Sequence, residues 1–344
     1  MPEPAAVRGG VAGATAASEP VVLEGLDGGT PLGFLAGLGT QRVLADRAAA
    51  AGAAPPGLSW RSLDAWRPVL HGPPSVDAVV GAVHDDATTW KDAPILTFRY
   101  LKVEKKGARP VGGLRAPVAV LRSWLTRMRA ASDEVSLAYA SALVCETATE
   151  IIDEPAAPEQ LAEDGIEADP GAPLDRSALP TFFDFTSRNA QFLEQVEEIR
   201  AHLGYDAIKA GLTTGEGDPT AQRSMDWDPG ADTPGAIYTG YSRGFLPVAE
   251  WLAFRGLVCL PVTGVGGQLT TTGCMGRRKN GTFVWPLWRD PAGPETVRSL
   301  VAWPRLDGLD AARRRALGIA TVLAADLTKK ADGYAGMFSP TRPV

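Results

Sequence analysis

Gly240-Tyr241-Ser242-Arg243-Gly244 has the GxSxG spacing that presents a hydrolase serine on a strained turn. In that arrangement an acidic residue and then a histidine must follow the serine. The only histidines are His71, His84 and His202, so chain order excludes it and leaves an ordinary glycine turn. His84-Asp85-Asp86 invites comparison with metal-dependent HD phosphohydrolases, which need a further upstream histidine and a distant aspartate. His71 is the one upstream candidate, and a solvated His84 near the polar end of a short helix is the simpler reading. Gly264-Val265-Gly266-Gly267-Gln268-Leu269-Thr270 lacks the lysine of a Walker loop and leads towards a strand. The Gly28-Gly29 turn opens a helix and could offer N–H groups to a phosphate, yet close packing of that turn is the better reading. Asp226-Trp227-Asp228-Pro229 sets two carboxylates around an aromatic, with aspartate before proline as routine turn chemistry. Cys145, Cys259 and Cys274 stand apart without CxxC spacing, which suggests reduced thiols. No catalytic residue, metal site or cofactor is expected from this set.

Charge is more informative than any of these motifs. The chain of 344 residues has a formal net charge of −6. Between residues 153 and 180 eight acidic residues stand against Arg176, and without that stretch the remainder is close to neutral. From Ile95 to Ala130 there are nine cations (Arg99, Lys102, Lys105, Lys106, Arg109, Arg115, Arg122, Arg127 and Arg129) against Glu104 alone. A second basic set, Arg277-Arg278-Lys279, sits just before Asn280-Gly281, a dipeptide suited to a hairpin turn. Polyanion binding depends on fields screened over about 10 Å, so local patches outweigh the total. The candidate nucleic-acid-binding residues are therefore Lys102, Lys105, Lys106, Arg109, Arg115, Arg122, Arg277, Arg278 and Lys279. The competing reading is a solvated face, or a surface paired with the acidic stretch.

The elements that must position these residues are mixed. A strand is expected over Val21–Leu26, then a helix from Pro31 to about Ala50 with Thr30 as N-cap. Its small residues Gly33, Gly37 and Gly39 imply close approach to a sheet or another backbone. Extended pieces follow near Leu58–Trp60 and Trp66–Leu70, then a helix over Val76–Ala87. Ile95–Val103 reads as a strand and Glu104–Gly113 as a basic loop, followed by helices over Pro117–Ala130 and Val135–Ile151. A strand at Phe182 leads to a helix carrying Phe192, Val196, Ile199 and Leu203 on one stripe, with Asp184, Thr186 and Ser187 as possible caps. Later come a helix near Val248–Phe254, a strand over Leu257–Val262 and a hairpin joining Leu269–Arg277 to Phe283–Trp288. Helices over Glu295–Ala302 and Leu309–Lys330 close the chain. Strands and helices without strict alternation predict an α+β fold of mixed sheets and packed helices. The expected organisation is a disordered extension over 1–19, α+β domains over 20–152 and 181–344, and an acidic linker or insertion over 153–180. No apolar run is long enough to span a bilayer, so a cytoplasmic protein without membrane contact is expected.

Several separated pieces resemble proteins encoded beside type I-G (formerly I-U) CRISPR interference genes. Leu23-Glu24-Gly25-Leu26 and Pro31-Leu32-Gly33-Phe34-Leu35-Ala36-Gly37-Leu38-Gly39 are similar to the opening of that group. Asp184-Phe185-Thr186-Ser187 with Gln191-Phe192-Leu193, then Trp227-Asp228-Pro229, are similar to its centre. Glu250-Trp251-Leu252-Ala253-Phe254-Arg255-Gly256-Leu257, Thr271-Thr272-Gly273, Trp285-Pro286-Leu287-Trp288 and Val297-Arg298-Ser299-Leu300 are similar to its later part. The resemblance implies a non-catalytic, large-subunit-like or accessory component of an RNA-guided Cascade-like complex in antiviral defence. Its implied partners are CRISPR RNA, target DNA, other effector subunits and the helicase-nuclease that cuts. In such complexes base pairing supplies specificity while protein holds the backbone. Two alternatives stand beside it: a protein-only scaffold or regulator, and a hydrolase built on Ser242 or His84.

Overall fold

A computed structural model describes residues 19–73, 75–104, 107–152, 168–169, 171–186, 191–218, 224–228, 245–278, 280–329 and 336–344. In chain order the first half contains β1 (Val21–Val22), α1 (Pro31–Ala50), β2 (Gly57–Ser62), β3 (Trp66–His71) and α2 (Val76–Thr89). It continues through α3 (Pro94–Thr97), β4 (Tyr100–Glu104), β5 (Gly107–Val111), α4 (Val118–Ala130), α5 (Glu134–Leu143) and β6 (Val144–Ile151). The second half contains β7 (Arg176–Pro180), α6 (Phe192–Ala201), α7 (Tyr205–Thr213), α8 (Pro247–Gly256), β8 (Val262–Val265), β9 (Gln268–Thr271) and β10 (Cys274–Met275). It ends with β11 (Thr282–Trp288), α9 (Pro294–Val301), α10 (Ala311–Ala316), β12 (Ile319–Lys329), β13 (Gly336–Phe338) and β14 (Arg342–Pro343).

All recorded strand pairings are antiparallel. One sheet runs β1-β3-β2 and another β10-β11-β12-β13 with β14 also on β12; β4-β5, β6-β7 and β8-β9 are separate pairs. Small antiparallel sheets with packed helices make the fold α+β, as the mixed pattern predicts.

Helix α1 starts where its sequence requires. The Thr30 hydroxyl accepts from the Gly33 N–H at 3.1 Å, and Pro31 occupies the first helical position. The helix is buried along most of its length because α8 crosses it backbone to backbone. A Cβ on Gly39 would lie 1.6 Å from the Leu252 carbonyl oxygen, and one on Gly256 would lie 2.3 Å from that of Leu35. The close approach implied by the α1 glycines is thus made against another helix. On the opposite side Phe34 stacks on Trp60, with ring centroids 5.6 Å apart, and meets Phe283, Trp285 and Trp288. Trp285 and Trp288 donate to the carbonyls of Gly28 and Leu58 at 3.0 and 2.7 Å. Buried Gln41 donates to Pro56 and Ala292. One apolar core therefore includes residues from both halves of the chain.

Several local expectations need correction. Ile95 and Leu96 lie in the short helix α3, where Pro94 suits the first turn, and the strand begins only at Tyr100. Glu104–Gly113 is not a loop throughout, because Gly107–Val111 forms β5. The helix expected over Val135–Ile151 stops at Leu143, and the β-branched run beyond it is β6. Arg176–Pro180, at the end of the acidic stretch, is strand β7; residues 1–18, 153–167 and 170 lie outside the described residues. Phe182 and Phe183 form a turn after β7. Asp184 accepts from the Thr186 N–H and hydroxyl, while the helix starts later with Gln191 at its cap; Ser187 lies outside the described residues. Leu257–Cys259 is a single 3-10 turn ahead of β8. The Leu309–Lys330 helix is replaced by α10 and the long strand β12, separated by Gly318 at φ +70°. The N-terminal strand is shorter than expected, ending at Val22. No helix among the described residues is long and apolar enough to cross a membrane.

Candidate nucleic-acid interface

The basic window folds around the β4-β5 hairpin. Lys102 lies directly opposite Arg109 in the register, so two cations share one face of the hairpin. Lys105 and Lys106 lie between the strands, outside the described residues. Chain leaving β5 passes through Gly112 and Gly113, which are pressed against α6. The Gly112 N–H donates to the Glu194 carboxylate at 2.8 Å, and the Leu193 N–H donates back to the Gly112 carbonyl. A Cβ on Gly113 would lie 3.1 Å from the Tyr100 hydroxyl oxygen. Burial pushes the Tyr100 phenol up despite the nearby positive charges of Arg115 and Arg109, so it stays neutral.

Arg115 follows this turn and donates to Glu150 of β6 at 2.9 Å. Arg122, a turn into α4, meets Glu146 of β6 at 3.2 Å. The strand is irregular between Cys145 and Thr149, an interruption of the ladder that presents Glu146 to α4. Arg278, from the β10–β11 connection, reaches the same region. It donates to the Asp184 carbonyl at 3.4 Å, and its nearest carboxylate oxygen there is 3.9 Å away. Burial pulls the Arg278 guanidinium below its ordinary range, and Arg115 lowers it further, against Asp184 and Glu150. Arg278 and Arg115, distant in sequence, thereby share one electrostatic neighbourhood. Arg277 beside it is exposed; Lys279 lies outside the described residues. Arg127 and Arg129 are exposed on the last turn of α4.

Sequence reasoning missed Glu146 and Glu150, because it placed them in a helix. The signal that finds them is the β-branched cluster Val144, Thr147, Thr149 and Ile151.

The other chemical motifs are absorbed by packing. Asp86 is taken up by Arg255 and Trp251, and Asp85 by Arg47, while His84 is half exposed beside Tyr205. Among the described residues no group of three or more His, Cys, Asp or Glu is arranged to hold a metal. Gly266 and Gly267 form the tip of the β8-β9 hairpin at φ +59° and +77°. The side of Gly28 that a Cβ would occupy is filled by the Trp60 ring, and Gly29 donates to Asp27. Ser242 and its neighbours lie outside the described residues.

Asp226-Trp227-Asp228 has a structural anchor instead. Trp227 donates to the Phe183 carbonyl at 2.9 Å. Just upstream, the Ser224 hydroxyl and the Met225 N–H both donate to Oε1 of buried Glu250 on α8. Among the described residues, buried Glu250 Oε2 has no hydrogen-bond partner. Burial pushes Glu250 up to about 8; the two donors oppose that shift, and Asp226 and Asp228 add to it. The folded protein therefore holds this proton where the unfolded chain, near its ordinary 4.5, has released it. Its contribution to stability is present below pH ~4.5 and is lost as pH rises through about 8. Glu250→Gln is expected to flatten that decline, which urea titrations at several pH values will measure; an unchanged slope would contradict the assignment.

Comparisons with protein families, with curated proteins and with solved structures found no match to this chain.

Proposed function

We infer that this chain is a non-catalytic nucleic-acid-binding subunit, of the kind its sequence resemblance to type I-G CRISPR interference proteins implies. The observation that supports this best is cation facing cation. Lys102 stands opposite Arg109, and Arg278 lies in the field of Arg115. Cations gathered in this way give a local positive field, to which a polyanion adds phosphate contacts and the release of condensed counterions. CRISPR RNA or target DNA supplies that backbone, within a complex of further effector subunits and a helicase-nuclease, and base pairing carries the sequence information.

The resemblance segments play a different part. Those of α1 and α8 cross each other through Gly39 and Gly256, and Trp285 and Trp288 pack on Phe34. They build the apolar core. Charge reversal at Arg109 and Arg277, both exposed, is expected to weaken binding of a labelled single-stranded oligoribonucleotide. The log–log salt dependence should also fall by about 0.7 for each phosphate that the variant no longer neutralises. Identical salt titrations for wild type and the Arg109→Glu/Arg277→Glu variant would remove these two cations from the interface.

A protein-only scaffold or regulator is the second reading. The ion pairs from Arg115 and Arg122 to β6 favour it, since they show that acidic side chains suit these cations. Purified native assemblies free of RNA would support it.

A further inference from the structure

We propose that Glu150 and Glu146 of β6 act as built-in substitutes for phosphates, and that a nucleic-acid backbone displaces them to engage Arg115 and Arg122. This rests on the nucleic-acid reading above and adds a gate to it.

Ion pairs among the described residues range from buried to open. Arg255 is 1% exposed and its partner Asp86 10%, so that pair cannot exchange ligands without opening the core. Arg115 and Glu150 are each 44% exposed, and Arg122 and Glu146 are 35% and 36% exposed. Pairs so open to water contribute little to stability, and swapping one anion for another costs correspondingly little. A phosphodiester offers the guanidinium the same planar two-oxygen face as a carboxylate, and binding also releases condensed counterions. Glutamate gains nothing comparable, so the exchange favours nucleic acid at low salt.

Arg278 explains why the exchange needs no rebuilding. Its partner Asp184 is buried and held by Thr186, so it stays in place and keeps Arg278 beside the opening. Moving Glu150 aside frees Arg115 for a phosphate within the field of Arg278, which keeps Asp184 as its counterion. On β6, the break in the ladder between Cys145 and Thr149 lets both glutamates serve different elements, Glu150 the turn after β5 and Glu146 helix α4.

The test uses the full chain and fluorescence anisotropy with a labelled single-stranded oligoribonucleotide of mixed sequence. Glu150→Gln, at an exposed position, and Glu146→Gln, at a half-buried one, are near-isosteric changes, and melting curves will check that each variant folds. Each is expected to tighten binding roughly two- to five-fold. Arg115→Gln should weaken binding, and adding Glu150→Gln to it should give no tightening. If both glutamine variants bind as wild type does while Arg109→Glu/Arg277→Glu binds less, the gate is wrong and the interface stands. If no variant moves binding, the interface itself is wrong. Tightening seen for poly-glutamate but not for the oligonucleotide would assign the gate to an acidic protein partner and overturn the proposal.

Discussion

Replacing Gly39 with alanine is expected to cost more than about 3 kcal/mol of folding stability, at or beyond the upper end for overpacking a core. The new methyl would sit 1.6 Å from the Leu252 carbonyl oxygen and only 2.9 Å from the Gly256 nitrogen. Both obstacles are backbone, so no rotamer change relieves the clash and α1 must move away from α8. That movement would loosen Phe34 from the Trp60, Trp285 and Trp288 rings on the other side of α1. Alanine's better helix propensity returns at most about 1 kcal/mol, so the sign is not in question. Gly256→Ala should behave similarly, with its methyl 2.3 Å from the Leu35 oxygen. The control is Gly81→Ala in α2, where a Cβ meets nothing within 4 Å and a small gain in stability is expected. Urea unfolding of the three variants decides it. A Gly39→Ala protein as stable as wild type would mean that the two helices do not cross at these glycines.

The same crossing shows what the sequence made legible. Thr30, Pro31 and three glycines within one apolar run state a capped helix and a close neighbour, because capping and Cβ sterics act locally. Which neighbour it is could not be read, since Gly256 lies more than two hundred residues away and nothing local marks its partner. Strand β12 reads as a helix for a related reason. Ala324, Ala325 and Leu327 suit a helix by propensity, but the strand is fixed by pairing with β11 and β13, a tertiary fact. The cations of the candidate interface are visible as charges, yet their ion pairs are not. Glu146 and Glu150 become partners of Arg122 and Arg115 only once β6 is a strand. The opposed cations on β4 and β5 likewise depend on register, which a loop assignment conceals. Charge is thus legible, and its compensation is not.

Arg255→Met should be the most damaging single change to the polar core, costing about 3–5 kcal/mol. Arg255 donates to Asp86 at 2.5 Å and to Asp46 at 2.7 Å, and its Nε donates to the Tyr139 hydroxyl at 2.8 Å. Its guanidinium also lies 4.0 Å above the Trp90 ring. Methionine fills much of the volume but, among the described residues, leaves Asp86 with only the Trp251 N–H. Burial already pushes Asp86 up to about 6 with the guanidinium beside it. Without that positive charge its folded-state value must rise further, while the unfolded chain still releases the proton near 3.8. The variant should therefore lose stability as pH rises from about 4, and continue losing it beyond pH 6 where the wild type levels off. Removing the stranded carboxylate as well, in Arg255→Met/Asp86→Leu, should recover much of the loss, because an apolar pair replaces a buried charge without its partner. Unfolding measured across this pH range for the single and double variants separates lost packing from lost charge compensation. A double variant no more stable than Arg255→Met would show that packing on Trp90 and Tyr139, not the Asp86 charge, is what Arg255 supplies.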